Sequence, residues 1–186
     1  MITLDIGNIR IDGVTSTRFL ATREEGKFVR EYIAEELEKL ENGDLLILDF
    51  TNVTIIDWSC SDEIIAKLVS RLKGKEFGDR YICLSNLSKN HKENINAALS
   101  DKNIATAVLE DNGLLIIGSI NTYLHDTFKY VINNEEVTAR QLADSAKIQI
   151  NTASTRLLNL YKECLVKREE DAITEGAKQF VYKSLI

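Results

Sequence analysis

Between Val137 and Leu185 the hydrophobic repeat switches from a helical to a strand period, and that switch narrows the folds open to this chain. Thr138-Ala-Arg-Gln141 fits a T-x-x-Q capping box, so a short helix is predicted to begin at Thr138, with Leu142 and Ala143 inside. Lys147-Ile148 forms a tight turn, with Ile148 expected in the core, and Gln149 stands at the cap of a longer helix. In that helix Ala153, Leu157, Leu160 and Tyr161 line one face. Leu165 to Glu169 then reads as a strand, Asp171 to Ala177 as a turn around Gly176, and Lys178 to Leu185 as the returning strand. Phe180, Tyr182 and Leu185 are its expected inward residues.

The face of the longer helix opposite its apolar stripe carries Asn151, Thr152, Thr155, Asn159 and Lys162. A merely solvated helix face more often carries Glu and Lys, as the stretch from Lys27 to Leu40 does. Short uncharged polar side chains approach base edges closely: Asn pairs with adenine, and the Thr methyl touches thymine. Helix, turn, helix and hairpin is also an order of elements that presents one helix to the major groove of duplex DNA. Gln149, Asn151, Thr152, Thr155, Arg156, Asn159 and Lys162 are therefore candidate DNA-facing residues. Arg140, Arg156, Lys167, Arg168 and Lys178 are candidate phosphate contacts, which position a protein without reading sequence.

The spacing resembles the winged helix-turn-helix superfamily of bacterial regulators, in which an Ile-Ser-x-x-Thr-Ala-Ser-x-Arg-Leu run precedes a Leu-x-x-Leu-Val run. Ile148, Thr152, Ala153, Ser154, Arg156, Leu157, Leu165 and Val166 match, and Gln149 replaces the usual capping serine. The resemblance covers about 65 residues and implies a winged helix, with residues 178–185 in the wing. Winged helices also serve as protein-docking modules, and the acidic run Glu169-Glu170-Asp171 at the wing favours that alternative.

Charge separates the chain into two parts. Residues 1–119 hold 14 Lys/Arg against 20 Asp/Glu, and residues 120–186 hold nine of each. The net charge of −6 thus belongs to the first part. A neutral second part is a weak electrostatic footprint for a DNA binder and counts against that reading. No proline or low-complexity linker marks the boundary, which pattern places near Ser119 to Thr122, giving domains 1–119 and 120–186. Asn121 to Asn133 reads as the helix opening the second domain.

The first domain alternates strands and helices. Ile2, Leu4, Ile6, Ile9 and Ile11 suggest a hairpin or kinked strand around Gly7-Asn8. Lys27 to Leu40 is an amphipathic helix through Phe28, Ile33, Leu37 and Leu40, ended by Asn42-Gly43. Leu45 to Leu48 lacks alternation and reads as a central strand buried on both faces. Ser61 to Leu72 is helical, Arg80 to Leu84 a strand, and Lys89 to Leu99 a helix burying Ile95, Ala98 and Leu99. Thr106–Leu109 and Leu114–Ile117 flank Asp111-Asn112-Gly113 as a hairpin. The fold class is α/β with a mixed sheet, followed by a smaller α+β domain.

The segment LLILDFTNVTIIDWSCSDEIIA, from Leu45 to Ala66, resembles the STAS fold of anti-sigma-factor antagonists and, more closely, STAS-like proteins of unknown function. In the antagonists an Asp-Ser-Ser/Thr-Gly turn opens a helix, and the serine after the Asp accepts phosphate from a kinase. Asp57 matches the Asp and Ser59 the second hydroxyl residue, Trp58 stands where the acceptor would be, and Cys60 replaces the glycine. The resemblance spans roughly Ile2 to Ile117 and implies a partner or switch turn at Asp57, Trp58, Ser59 and Ser61, with a kinase-like protein as partner. From the residues alone, Ser59 and Asp62 fit an S-x-x-D cap, so these serines either cap a helix or form a regulated turn. Trp58 is either an interface anchor or a core residue.

Other chemistries find little support. Three separated cysteines, Cys60, Cys83 and Cys164, fit a reducing cytoplasm without a disulfide framework or zinc site. His91 and His125 read as surface or helix-end residues. Asp49, Asp57, Asp62 and Glu63 could cluster near a strand terminus as paired carboxylates or bind a hard metal, yet no phosphate loop or nucleophile elbow accompanies them. No enzyme, metal or cofactor is expected. The opening MITLDIGNIRIDG carries an early acid and no long apolar core, so no signal peptide is expected, nor is a membrane span. The sequence points to a cytoplasmic DNA-binding regulator, expected as a homodimer because paired half-sites are usual. A partner-switching interaction protein is the competing reading.

Overall fold

The computed structural model describes residues 1–12, 14, 16–172 and 178–186, with Ala172 and Lys178 described by backbone alone. The chain forms two compact units, Met1–Ser119 and Ile120–Ile186. It is mixed α/β, with a mostly parallel central sheet in the first unit.

The first unit opens with β1 (Ile2–Asp5), a 3-10 turn (Ile6–Asn8), β2 (Phe19–Leu20) and α1 (Arg23–Glu38). Next come β3 (Leu45–Asp49) and β4 (Ile55–Ile56). One continuous helical run follows: α2 (Trp58–Ser61), a π-helical segment (Asp62–Ala66) and α3 (Lys67–Lys73). Then come β5 (Tyr81–Ser85), α4 (Lys89–Asp101), β6 (Ala105–Glu110) and β7 (Gly113–Gly118). The sheet order is β1-β3-β5-β6-β7, parallel except for the β6–β7 hairpin, and β2 pairs with β4 separately. Each parallel crossover advances one place in the same direction. Right-handed connections therefore lay α1, the α2–α3 run and α4 on one face. Leu45 to Leu48 are buried between β1 and β5, as their unalternating run predicts.

Three local expectations need correction. The opening is not a hairpin: β1 aligns parallel with β3, and the chain then leaves the sheet through the 3-10 turn. Asp5 stabilises that exit, accepting from Gly7 N at 3.0 Å and from Asn52 Nδ2 at 2.6 Å. A Cβ on Gly7 would lie 2.3 Å from the Asn52 backbone, so only glycine permits the approach. Second, α1 begins at Arg23 because Thr22 caps it, accepting from Glu25 N at 3.2 Å. With that start Val29 enters the buried stripe with Ile33 and Leu37, and Phe28 is left 39% exposed. Third, His91 is a helix-end residue, one of the two alternatives expected, but it is not at the surface. It sits in the first turn of α4, its Nδ1 accepting from Ser88 N at 3.2 Å, and it is buried near Phe50. Burial lowers its pKa, against a raising contribution from the Thr54 backbone.

The second unit is α5 (Thr122–Ile132), α6 (Ala139–Ala146), α7 (Ile150–Lys162), β8 (Lys167–Ala172) and β9 (Lys178–Lys183). Thr138 and Gln141 form the capping box of α6, and Lys147, in the left-handed region at φ 53°, ends it. Val137 exchanges both backbone hydrogen bonds with Tyr182 at 2.9 Å, adding a one-residue bridge beside β9. Leu124, Phe128, Val131, Leu142, Ala153, Leu157, Leu160, Leu165, Val166, Val181 and Leu185 form the core.

Here too the detail departs from expectation. Ile148 is only half-buried. The strand expected from Leu165 begins at Lys167, because Leu165 N bonds back to Leu160 O at 3.1 Å and Cys164 turns through φ 57°. Phe180 is 44% exposed while Val181 and Tyr182 are both buried, so the inward alternation fails at Phe180. Its ring stacks on Arg168 instead. The turn expected around Gly176 lies outside the described residues.

Candidate functional site

The polar side of α7 forms the first candidate site. Asn151, Thr152, Thr155 and Lys162 are exposed, and Arg156 and Asn159 are half-buried. Residues four apart share a helix face, so Asn151, Thr155 and Asn159 make one row and Thr152 and Arg156 the next. Together with Tyr123 of α5, all six except Lys162 line a shallow groove of about 400 Å³. α7 carries no acidic side chain from Ile150 to Lys162. Thr155 Oγ1 donates to Asn151 O at 2.8 Å, which occupies its proton within the helix. Gln149 occupies the N-cap position, but its side chain makes no capping bond.

Tyr123 was not singled out by sequence reasoning. Its ring lies 5.3 Å beneath the Arg156 guanidinium, an arrangement created only when α5 packs against α7. Nothing local marks it, since an exposed tyrosine in a first helical turn is commonplace.

The candidate phosphate contacts fare differently. Arg140 is exposed and Lys167 half-exposed, and neither they nor Lys162 have an ion-pair partner among the described residues. Arg168 is stacked, 3.4 Å from the Phe180 ring centroid and 5.5 Å from that of Tyr161. Its Nε is buried without a hydrogen-bond partner among the described residues. The side chain of Lys178 lies outside the described residues. Lys183, also overlooked in the sequence, is held by Glu169 at 2.7 Å and Glu136 at 2.9 Å. Those carboxylates raise its pKa and leave it little freedom to meet a phosphate.

The Asp57 turn is the second candidate. Asp57, not Ser59, is the N-cap: its Oδ1 accepts from Cys60 N at 2.7 Å. Ser59 Oγ instead donates to both Asp57 carboxylate oxygens, at 2.9 and 3.0 Å. Aspartate wins the cap because its charge meets the positive helix end. Ser61 is fully buried and donates to Asp57 O at 2.8 Å, so it is not open to a kinase. Trp58 is 40% exposed, with the Arg23 guanidinium 5.7 Å from its ring. Phe19 and Ile55, direct partners in the β2–β4 ladder leading into this turn, are exposed as well. Phe19, brought to Ile55 by that ladder, is a second residue not singled out from the sequence.

The four proximal carboxylates do not form one cluster. Asp49 ends β3, where Oδ1 accepts from Thr51 N at 2.9 Å, Thr51 Oγ1 at 2.7 Å and Asn86 Nδ2 at 2.8 Å. Burial alone raises its pKa, but these donors outweigh it and hold the carboxylate below its ordinary value. Asp62 and Glu63 lie buried in the π segment between α1 and α4. Asp62 takes Arg23 at 2.9 Å and Lys102 at 3.0 Å, and Glu63 takes Arg30 and Lys67. Burial again pushes both pKa values up, and the cations more than offset it. These are packing ion pairs, and neither Asp62 nor Glu63 is left free for acid–base work. Among the described residues no group of three or more His, Cys, Asp and Glu is placed to hold a metal. Burial pushes the Cys60 and Cys83 thiols up to about 12, which keeps them protonated and unreactive. Among the described residues no helix is long and apolar enough to cross a membrane.

No protein-family model and no curated protein matches this chain.

Proposed function

We propose that the chain is a DNA-binding regulator. The second unit acts as a winged helix that reads duplex DNA with α7, and the first acts as a STAS-like module that senses a partner, ligand or phosphorylation. One observation carries the reading: α7 turns an acid-free face outward, with Asn151, Thr152, Thr155, Arg156 and Asn159 beside one another along a groove. Asn so placed offers an acceptor beside a donor, as an adenine edge requires, and Arg offers a pair of donors, as a guanine edge requires. The Val137–Tyr182 bridge and the β8–β9 hairpin support the winged-helix assignment, because they join the residue that precedes the α6 cap to an antiparallel hairpin that follows α7. For the first unit, the exposed Trp58, Phe19 and Ile55 support partner binding near the Asp57 turn.

The second reading, a partner-switching protein with a docking winged helix, rests on Glu169, Glu170 and Asp171 in β8. These acids stand on the wing, where DNA phosphates would be repelled. Titration of a labelled mixed-sequence duplex at low salt separates the two. Saturable binding that Asn151→Ala plus Thr155→Ala alters in sequence preference supports the regulator. No duplex binding at low salt refutes it and leaves the docking module.

A further inference from the structure

Within the groove beside α7, one side chain comes from another helix. Tyr123 stands in the first turn of α5, and its ring is the floor on which Arg156 rests, 5.3 Å from the guanidinium carbon. The ring hydroxyl accepts an exposed hydrogen bond from Asn121 Nδ2 at 3.2 Å. The residue is anchored through its backbone, because the buried Thr127 donates to Tyr123 O at 2.7 Å. Arg156 has no ion-pair partner among the described residues, so no carboxylate competes for its edge.

Stacking and hydrogen bonding use different parts of a guanidinium. An aromatic face takes the flat side, which leaves the N–H fork in the plane free for two parallel acceptors. The guanine major-groove edge, with O6 and N7, is such an acceptor pair. An unstacked arginine on an exposed helix would sample many rotamers and lose that freedom on binding. We infer that Tyr123 is a positioning residue that locks Arg156 as a guanine reader, so that sequence preference depends on α5 as well as α7. The inference rests on the DNA-binding reading above and adds one specific base and one residue outside α7.

Selection of duplexes from a randomised pool, followed by titration of the selected site and its single-base variants, tests this. With the intact chain the selected site contains a guanine at which Arg156→Lys relaxes preference. Tyr123→Ala relaxes the same position by about tenfold, the discrimination one bidentate pair supplies. It affects other positions and random duplex much less. Tyr123→Phe keeps the ring and retains the guanine preference, which a loss of general packing would not predict. Tyr123→Leu repeats the Ala comparison if the alanine variant unfolds.

Three results overturn the inference while leaving DNA binding intact. They are unchanged preference in Tyr123→Ala, relaxation at a position different from that of Arg156→Lys, and uniform weakening on every sequence. A chain that binds no duplex at low salt overturns the parent reading, and this inference falls with it.

Discussion

Removing one cation from the second unit should change the salt dependence of duplex binding by a calculable amount. Arg140, Lys162 and Lys167 have no ion-pair partner among the described residues, whereas Lys183 is tied to Glu169 and Glu136 and Arg168 is stacked on Phe180. With these three as phosphate contacts, the slope of log affinity against log salt is about −2.7 per protomer, at roughly 0.9 per contact. A fourfold rise in salt then weakens binding about 40-fold. Lys167→Ala leaves two contacts and a slope of about −1.8, so the same rise costs about 12-fold. A homodimer doubles each slope. Fluorescence anisotropy with a labelled duplex, repeated at four or five salt concentrations, measures both slopes. Lys89→Ala in α4 of the first unit, where the lysine is highly exposed, is the control and should leave the slope alone. Lys167 is not a phosphate contact if Lys167→Ala and the intact chain share one slope, or if Lys89→Ala produces the larger change.

Three further outcomes concern the first unit. Asp57→Ala removes the cap of the α2–α3 run and should cost about 1 kcal/mol in urea unfolding, with a shift in Trp58 fluorescence; an unchanged midpoint would mean that Ser59 takes over the cap. Glu63→Ala strands part of the Arg30 and Lys67 charge and should cost roughly 3 kcal/mol, at the low end for a broken buried pair because Arg30 keeps Glu31. The pH dependence follows from the sign of the shifts. Asp62 and Glu63 have folded pKa values below their unfolded ones, so their contribution is present above about pH 4 and is lost as pH falls through the lower folded values. Glu63→Gln should therefore flatten acid unfolding in that window, and a variant that unfolds with the wild-type acid profile would contradict the assignment.

The parts legible in the sequence share one property: neighbours within four residues determine them. The Thr138–Gln141 capping box, the buried run Leu45–Leu48, the Ile95, Ala98 and Leu99 stripe of α4 and the β6–β7 turn all fall in this group. The polar row of α7 was readable for the same reason, since helical spacing alone groups Asn151, Thr155 and Asn159. Readings failed where two signals competed locally. Asp57 and Ser59 both suit a cap, and only the geometry gave it to Asp57. Phe180 matched a strand repeat, yet Arg168 on the paired strand offered its ring a contact at the surface.

Side-chain order along the chain was enough to define an acid-free helix face and a buried parallel strand, because both depend on a repeat that any straight helix or strand must obey. Packing alone decided what lies across from those faces. Tyr123 reaches Arg156 from 33 residues away, Val137 pairs with Tyr182 from 45 residues away, and Arg23 meets both Trp58 and Asp62. Contacts of that kind form between elements whose local signals are complete without them, so no periodicity records them.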